Sequence, residues 1–264
     1  MTKFDGRKIR DDILGDLKNQ IVDFSVKPTL AVIWNGTNFI SKKYINSKRK
    51  VANVLNVNFE LFELKKQQEI IDKILELNAE DKITGIMVQL PLTKEIDRRK
   101  VIAAISPDKD IDGLRYCAGL DSKFFPPVTL AILEAIKNSG ARLVESKVAI
   151  VGQGFLVGDP ISRILKGQVA DLRLVDKNVK NLSELTIDAD IIISATGCAE
   201  MISSIIVKKG VILIDAGTTE VGGELKGDID SSCYKKAIFY TPVPGGIGPV
   251  TVAMLFKNLI EKLK

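Results

Sequence analysis

Tyr44 and Lys48 are the first two side chains along the sequence whose types and spacing could support proton transfer. They are four residues apart in a predicted helix over about 41–55, so both lie on one face of it. A lysine is a poor base near neutral pH, but partial burial can lower its pKa, and a tyrosine hydroxyl can orient the amine by hydrogen bonding. The pair is a candidate acid–base site, although this spacing is common by chance and surface lysines are usually only solvated.

Two further polar side chains belong with this pair. Gln89 ends a predicted strand and is followed by Leu-Pro-Leu, so its amide lies at the carboxyl end of a parallel strand, where α/β proteins bind ligands. Asp112 lies in the segment KDIDG. A carboxylate there can accept two parallel hydrogen bonds from an amidine-like edge of a heterocycle. Together these residues predict a site for a heterocyclic substrate.

A second site is indicated by the glycine pattern GxGxxxG, formed by Gly152, Gly154 and Gly158 directly after an apolar strand. Glycines let the backbone approach a pyrophosphate, and the following helix N-terminus favours its charge. Asp176 ends the next strand, where a carboxylate accepts hydrogen bonds from adenosine ribose and repels the 2′-phosphate of NADP. Lys177 could instead pair with that phosphate. A tight turn without ligand and a solvated acid are the alternatives.

The absence of histidine excludes Ser-His and Cys-His nucleophiles and His-ligated zinc. The three cysteines contain no CxxC pair, so we expect neither a disulfide scaffold nor a metal site, and we expect a reducing cytoplasm. The charged N-terminus and the lack of a long apolar run predict no secretory signal and no membrane span. The net charge of +5 suits an anionic small ligand and is too small to argue for nucleic acid.

The elements that must position these residues alternate between strands and helices, which predicts parallel sheets covered by helices. The fold class is therefore α/β with two domains, 1–120 and 121–248, joined through an interdomain loop at 106–127. A C-terminal helix at 249–264 packs back onto the first domain. The strands are predicted at 29–34, 58–64, 85–89, 148–152, 171–176, 190–195 and 211–217, and the other helices at 6–23, 41–55 with Ser41 as its cap, 67–78, 95–105 and 128–139.

Six segments resemble one enzyme family. From about Gly6 to Leu263, the sequence is similar to the bifunctional methylenetetrahydrofolate dehydrogenase/methenyltetrahydrofolate cyclohydrolases. The joint order of the motifs is more specific than any one of them. In chain order the segments are the YxxxK of Tyr44 and Lys48, GIMVQLPL, SPDKDIDG, the glycine loop with VGDP, VILIDAG and TPVPGGIGPVT.

The resemblance implies a concrete activity. Such enzymes oxidise 5,10-methylenetetrahydrofolate with a nicotinamide cofactor and hydrolyse the product to 10-formyltetrahydrofolate. The folate lies in a cleft between an N-terminal catalytic domain and a Rossmann domain. The family forms homodimers through its Rossmann domains. By motif position, Lys48 is the catalytic lysine, Tyr44 orients it and packs on the folate, Gln89 hydrogen-bonds and tunes it, Asp112 holds the pterin edge, and Pro244 and Gly246 close on the substrate.

The sequence departs from the family around the cofactor. The family loop usually has GRS where Gln153 stands between two glycines, so the arginine that helps hold a 2′-phosphate is missing. Asp176 and Lys177 replace a His-Ser pair, and Thr218 replaces an isoleucine near the nicotinamide site. The family default is NADP, whereas Gln153 and Asp176 favour NAD. The predicted cofactor contacts are Gly152, Gln153, Gly154, Gly158, Asp176, Lys177 and Thr218.

Three alternatives stay open at this point. One is a single-activity member, either a cyclohydrolase only or an NAD-dependent dehydrogenase. Another is a non-catalytic folate or nucleotide binder. The third is nucleic-acid binding, which the basic cluster of Lys42, Lys43, Lys48, Arg49 and Lys50 could support, although a solvated helix face or attraction of a folate polyglutamate tail explains it as well.

Overall fold

A computed structural model describes residues 1–36, 39–179 and 181–264, with the side chains of all of these except 39 and 40. The chain divides into two compact units. The glycine-loop unit comprises Met1–Ile9 and Val128–Thr251, and the lysine unit comprises Arg10–Pro127 and Val252–Lys264. The sequence analysis set the boundaries at 120 and 248 and did not divide off the first nine residues.

The elements of the described residues follow an α/β order throughout. The strands are β1 (Thr2–Lys3), β2 (Thr29–Trp34), β3 (Asn58–Glu63), β4 (Gly85–Val88), β5 (Lys147–Val151), β6 (Asp171–Val175), β7 (Ile191–Ser194), β8 (Val211–Asp215), β9 (Thr219–Val221), β10 (Glu224–Lys226) and β11 (Ala237–Tyr240). The α-helices are α1 (Gly6–Ile21), α2 (Phe39–Val54), α3 (Gln67–Ala79), α4 (Arg98–Ala104), α5 (Leu114–Cys117), α6 (Pro127–Ser139), α7 (Gly158–Leu165), α8 (Leu182–Thr186) and α9 (Ile247–Glu261). None of these helices has the length and apolar composition that a bilayer crossing requires.

The lysine unit is built on a parallel sheet in the order β3-β2-β4. The central strand, TLAVIW, is buried along its whole length, as expected of a parallel strand covered on both faces. Its Leu30 and Val32 share a core cluster with Phe256 and Leu259 of α9. The last helix of the chain therefore completes the core of a unit whose sheet ends at residue 88.

The glycine-loop unit contains a parallel sheet in the order β1-β11-β8-β7-β5-β6. From β5 the chain moves to one neighbour, β6, and then crosses to the other side of β5 to form β7. In such sheets, ligands bind at the carboxyl ends of the strands where the direction of winding changes. The glycine loop follows β5, so the topology places it at that point.

Each predicted strand is present within two residues of its predicted bounds, and each predicted helix within three. The predicted cap at Ser41 is wrong, because α2 begins at Phe39 and Ser41 lies inside the helix, where its hydroxyl is 3.5 Å from the Leu90 carbonyl oxygen. The sequence analysis missed β1, β11 and the antiparallel pair β9–β10. It also missed α5, which interrupts the predicted loop at 106–127.

Candidate active site

The Lys48 amine lies between α2 and the end of β4. Nζ donates a hydrogen bond to Gln89 Oε1 at 3.1 Å and lies 3.1 Å from Met87 Sδ. The Gln89 amide has a defined orientation, because its Nε2 donates to the Leu90 carbonyl oxygen at 2.8 Å and so directs Oε1 to the lysine. The structure thus brings together Lys48 and Gln89, as the sequence analysis predicted, and adds Met87.

Burial and charge act in opposite directions on this lysine. Removal from water lowers the pKa of the Lys48 amine, and the negative charge of Asp112 partly offsets that effect. Burial likewise raises the pKa of the Asp112 carboxyl, and the positive charge of Lys48 opposes it. The result is an amine that releases its proton more readily than an ordinary lysine, which is what a general base near neutral pH requires.

The segment that carries Asp112 is fixed by a fully buried acid. Asp110 accepts hydrogen bonds from the backbone N–H groups of Leu114 and Arg115 at 3.1 and 2.7 Å, and burial raises its pKa to about 7. The Arg115 guanidinium donates to the carbonyl oxygens of Ala103 and Ile105, both at 2.9 Å. These contacts hold the KDIDG segment in place, and they involve a residue pair that the sequence analysis did not single out.

Tyr44 does not make the contact expected of it. Its side chain is 45% exposed, and within the described ranges no hydrogen bond joins its hydroxyl to Lys48. The expectation that Tyr44 orients the amine is therefore not met in this structure. Gln89 and Met87 make the contacts to the amine instead. An exposed ring near a binding site remains available to pack against a ligand.

The glycine loop opens onto a cavity of about 500 Å³ in the glycine-loop unit. Five of the seven predicted cofactor residues line it, and Gly158 and Thr218 do not. Thr196, Cys198 and Met201 were not predicted as contacts; they follow β7, which neighbours β5, so the sheet order could have indicated them. The lining residues are Val151, Gly152, Gln153, Gly154, Val175, Asp176, Lys177, Ala195, Thr196, Cys198 and Met201.

The glycines of the loop are required by close backbone contacts. Gly152 has a φ of +93°, and a Cβ there would lie 2.6 Å from the Ala195 carbonyl oxygen. A Cβ at Gly158 would lie 1.7 Å from the Gly152 carbonyl oxygen, so only glycine at this position lets the helix start pack against the loop backbone. Gly154, in contrast, has no neighbour within 4 Å of such an atom. The loop therefore leaves open the backbone approach that a pyrophosphate needs.

Asp176 is exposed at the cavity and already holds a turn. Its Oδ1 accepts the Asn178 backbone N–H at 2.8 Å, and its Oδ2 accepts the Asn178 amide at 3.1 Å. A carboxylate has about four acceptor positions, so these contacts leave capacity for ribose hydroxyls. The residues present thus fit a dinucleotide, with Asp176 placed at the end of the second strand of the motif.

A buried carboxylate supports the part of the cavity wall that follows β7. Asp228 Oδ2 accepts the Thr196 backbone N–H at 2.6 Å and the Ser194 hydroxyl at 2.8 Å. The Asp228 backbone N–H in turn donates to Asp215 Oδ1 at 3.2 Å. Asp228 therefore positions the loop that carries Thr196, and the sequence offered no signal for this role.

The predicted substrate residues Pro244 and Gly246 lie in the turn after β11 in the glycine-loop unit. The bond from Val243 to Pro244 is cis, and Pro244 is exposed. Gly246 is buried, and a Cβ on it would lie 2.6 Å from the Pro242 carbonyl oxygen. The turn is joined to the N-terminus of the chain, where the Gly6 N–H donates to the Gly245 carbonyl oxygen at 3.0 Å.

Comparisons with known proteins match both units. The family model for the tetrahydrofolate dehydrogenase/cyclohydrolase catalytic domain matches residues 4–112, and that for the NAD(P)-binding domain of the same family matches residues 126–264. The chain belongs to the tetrahydrofolate dehydrogenase/cyclohydrolase family. This confirms the resemblance predicted from the motifs, and it confirms the fold class of a catalytic domain with a Rossmann-type domain.

Individual members of the tetrahydrofolate dehydrogenase/cyclohydrolase family agree over nearly the whole chain. The bifunctional protein FolD of Rickettsia bellii is 36% identical, over 98% of this chain and 97% of its own length. The crystal structure of the bifunctional FolD dehydrogenase/cyclohydrolase of Campylobacter jejuni has a TM-score of 0.93 at 33% identity, covering 99% of this chain and 98% of that one. The Trypanosoma brucei FolD structure, complexed with NADP and an inhibitor, has a TM-score of 0.92 at 29% identity, covering 99% and 96%.

Proposed function

We propose that this protein oxidises 5,10-methylenetetrahydrofolate to 5,10-methenyltetrahydrofolate with NAD(P) and hydrolyses the product to 10-formyltetrahydrofolate. The observation that carries the proposal is the desolvated Lys48 amine held by Gln89 within the field of Asp112. A lysine in such surroundings serves the hydrolytic half-reaction, in which a proton must be removed from water. Family membership supports the same pair of activities.

In the hydrolytic step, a water oxygen forms a bond to the methenyl carbon while one of its protons passes to Lys48 Nζ. The positive charge of the methenyl group is neutralised as the carbon–nitrogen double bond becomes single. The bond from this carbon to N5 of the folate then breaks and N5 takes up the proton from Lys48. The hydroxyl oxygen releases its remaining proton to solvent as its bond to the carbon becomes double, so the carbon remains on N10 as a formyl group. Gln89 holds the amine during both transfers.

The oxidative step makes a different demand on the protein. A bound NAD(P) supplies the hydride acceptor, and the methenyl product is a stabilised cation, so positioning matters more than acid–base chemistry. The glycine loop and the Asp228-supported wall hold the dinucleotide. Asp112 binds the amidine-like edge of the pterin, Tyr44 packs against its ring, and Pro244 and Gly246 contact the substrate.

For the cofactor we infer a preference for NAD over NADP. Asp176 presents a carboxylate where a ribose 2′-hydroxyl would lie, and a 2′-phosphate there meets its negative charge. Gln153 offers no positive charge to offset that repulsion. Lys177 is the residue that could pair with the phosphate. The adjacent residues Asp176 and Lys177 therefore favour different cofactors, NAD and NADP respectively.

The remaining partners follow from the family and the surface. Two exposed lysines near the start of α2, Lys42 and Lys43, suit the glutamate tail of a polyglutamylated folate. None of Cys117, Cys198 and Cys233, all within the described ranges, forms a disulfide, which fits a cytoplasmic location. We expect a homodimer formed through the NAD(P)-binding domain, and a monomer by sedimentation at micromolar concentration would contradict this.

The proposal is tested by replacing Lys48 with alanine and following both half-reactions separately. Loss of the base predicts that hydrolysis of added methenyltetrahydrofolate falls by about 10²–10⁴-fold. Oxidation of methylenetetrahydrofolate retains its rate within a few-fold, because that step does not use the amine. The matched control is Lys50→Ala, an exposed lysine on the same helix, which leaves both rates unchanged.

Other results would each point elsewhere. Hydrolysis by Lys48→Ala at the wild-type rate would overturn the role of the lysine. Hydrolysis without reduction of either nicotinamide cofactor by the wild type would leave a cyclohydrolase, and reduction without hydrolysis a dehydrogenase. Folate binding with neither reaction would leave a non-catalytic binder.

A further inference from the structure

Lys48 has two hydrogen-bond acceptors of different kinds, and only one of them is an oxygen. Nζ lies 3.1 Å from both Gln89 Oε1 and Met87 Sδ. A thioether accepts hydrogen bonds weakly, so the contact is maintained by packing more than by its own strength. Met87 is fully buried in the core cluster of the lysine unit, and its sulfur cannot leave the amine without opening that core.

The strand fixes both acceptors on the same side. Met87 and Gln89 are two residues apart along β4 and its end, so their side chains point to the same face. The register is set by pairing with β2, in which Met87 lies opposite Val32, and by the Gln89 N–H, which donates to the Ile33 carbonyl oxygen at 2.8 Å. Both acceptors are therefore presented to one amine by a rigid, buried element.

Two fixed acceptors determine where the reactive electron pair of the amine points. A neutral amine has two N–H groups and one lone pair, arranged tetrahedrally. When Gln89 and Met87 each accept one N–H, the lone pair is confined to the remaining direction. After protonation, the third N–H occupies that same direction, so the proton arrives and leaves at one place. Neither acceptor carries a charge that would retain the proton.

We propose that Met87 is a positioning residue for hydrolysis, whose sulfur holds one N–H of Lys48 and, with Gln89, fixes the direction of the amine lone pair. The inference rests on the proposed hydrolytic role of Lys48. It extends the site to a residue that otherwise has only a packing role. It also explains how the amine can be oriented although, among the described residues, no hydrogen bond joins Tyr44 to it.

The charged surroundings of the amine stay the same when Met87 is replaced. The carboxylate that acts on Lys48 is Asp112. Asp110 is buried two residues earlier in the same segment, and the groups from β4 are neutral. Loss of the sulfur removes an acceptor that stabilises the protonated amine. Any resulting shift in the titration of Lys48 is therefore downward, and it is separable from the effect of Asp112.

The test is Met87→Leu, which removes the acceptor and nearly conserves volume. We expect the plateau kcat of methenyltetrahydrofolate hydrolysis to fall about tenfold, which corresponds to about 1.4 kcal/mol. The midpoint of the pH–rate profile moves to lower pH, and the kcat of the dehydrogenase changes less than twofold. The pH dependence of Lys48 labelling by an amine-reactive reagent, mapped by mass spectrometry, reports the same shift without using activity.

Two matched proteins separate positioning from packing. Met254→Leu removes another buried methionine, one that within the described ranges makes no hydrogen bond to Lys48, and leaves hydrolysis unchanged. Selenomethionine protein keeps a soft acceptor at position 87 and retains the wild-type plateau. An unchanged plateau and an unchanged Lys48 titration in Met87→Leu would overturn the inference, as would an equal loss of both activities. If the wild-type protein did not hydrolyse methenyltetrahydrofolate, but Met87→Leu still shifted the titration of Lys48, the proposed function would be refuted. The contact between Met87 and Lys48 would then still be supported.

Discussion

Two aspartates show how surroundings decide what a carboxylate can do. Asp112 is partly buried, burial raises its pKa, and Lys48 is the charge that opposes this. It is suited to bind an edge that donates hydrogen bonds. Asp176 is exposed, and both of its oxygens accept from Asn178. It holds its turn and also lines the cavity, which is the basis for the proposed preference for NAD over NADP.

At this scale we predict that Asp176→Ser shifts the ratio of kcat/KM for NAD over NADP by at least about tenfold toward NADP, equivalent to about 1.4 kcal/mol. Removal of the carboxylate removes the repulsion of a 2′-phosphate and a ribose contact, while Lys177 remains. The measurement is initial-rate kinetics with each cofactor. Asn178→Ala is the control, since it removes the side-chain amide contact to Asp176 Oδ2 and keeps the charge. An equal shift in both variants would assign the effect to the turn.

Among the elements, α3 depends on a residue from a motif that the sequence analysis assigned only to ligand binding. Lys109 Nζ donates to the carbonyl oxygens of Leu77, Asn78 and Glu80 at 2.8–2.9 Å. The last carbonyl groups of a helix have no partners within the helix, and a cation there also interacts favourably with the helix dipole. The lysine of KDIDG is therefore the C-terminal cap of a helix that lies about thirty residues earlier in the chain.

We predict that Lys109→Met lowers the free energy of unfolding by about 1–3 kcal/mol, because three carbonyl groups lose a charged donor. Urea unfolding followed by Trp34 fluorescence measures it, since the single tryptophan lies in the lysine unit. Lys100→Met, at an exposed position of α4, serves as the control and changes stability by less than about 0.5 kcal/mol. A loss below that limit in Lys109→Met would argue against the cap.

The long, regular elements were accessible from the sequence, and the short ones were not. The run TLAVIW predicts β2 because apolar residues without alternation are typical of a buried parallel strand. In contrast, β1 has two residues, and its pairing with β11 joins positions more than two hundred residues apart. Such a strand has no local signal. The start of α2 was placed two residues late, because Ser41 has the chemistry of a cap but is used inside the helix.

The same division applies to the candidate site. Lys48, Gln89 and Asp112 are polar residues in distinctive motifs, and the sequence was sufficient to single them out. Met87 is an apolar residue in an apolar strand, and only the packing of α2 on β4 shows that its sulfur meets the amine. Asp228 escaped notice because its role depends on a backbone N–H at Thr196.

Across the whole molecule, each unit contains a fully buried acid whose pKa is raised. Burial raises the pKa of both Asp110 in the lysine unit and Asp215 in the glycine-loop unit to about 7. The unfolded chain has a pKa of about 3.9 for such groups. Between these values the folded protein keeps protons that the unfolded chain releases. The stability that these two acids contribute therefore falls as pH rises from about 4 to about 7, and their contribution is level above that, where they are ionised in both states.

We predict that Asp110→Asn flattens this pH dependence for the lysine unit, and that Asp215→Asn does so for the glycine-loop unit. Each removes a contribution of up to about 4 kcal/mol over the interval. Urea unfolding from pH 4 to 8, followed by Trp34 fluorescence and by circular dichroism, gives the slopes. Asp108→Asn is the control, because that half-buried acid has its pKa lowered by Lys123 and leaves the slope above pH 5 unchanged. The same slope of unfolding free energy against pH in all variants would contradict the assignment of this pH dependence to Asp110 and Asp215.

The division of the chain into interleaved segments bears on its biosynthesis. The lysine unit needs α9, with Phe256 and Leu259, for its core, and the glycine-loop unit needs β11 to join β1 to its sheet. During translation, the glycine-loop unit cannot be completed before β11 has been made, nor the lysine unit before Leu259 of α9. A ribosome-bound chain that ends before residue 237 lacks a segment of each unit, and no single cut in the gene separates two whole domains.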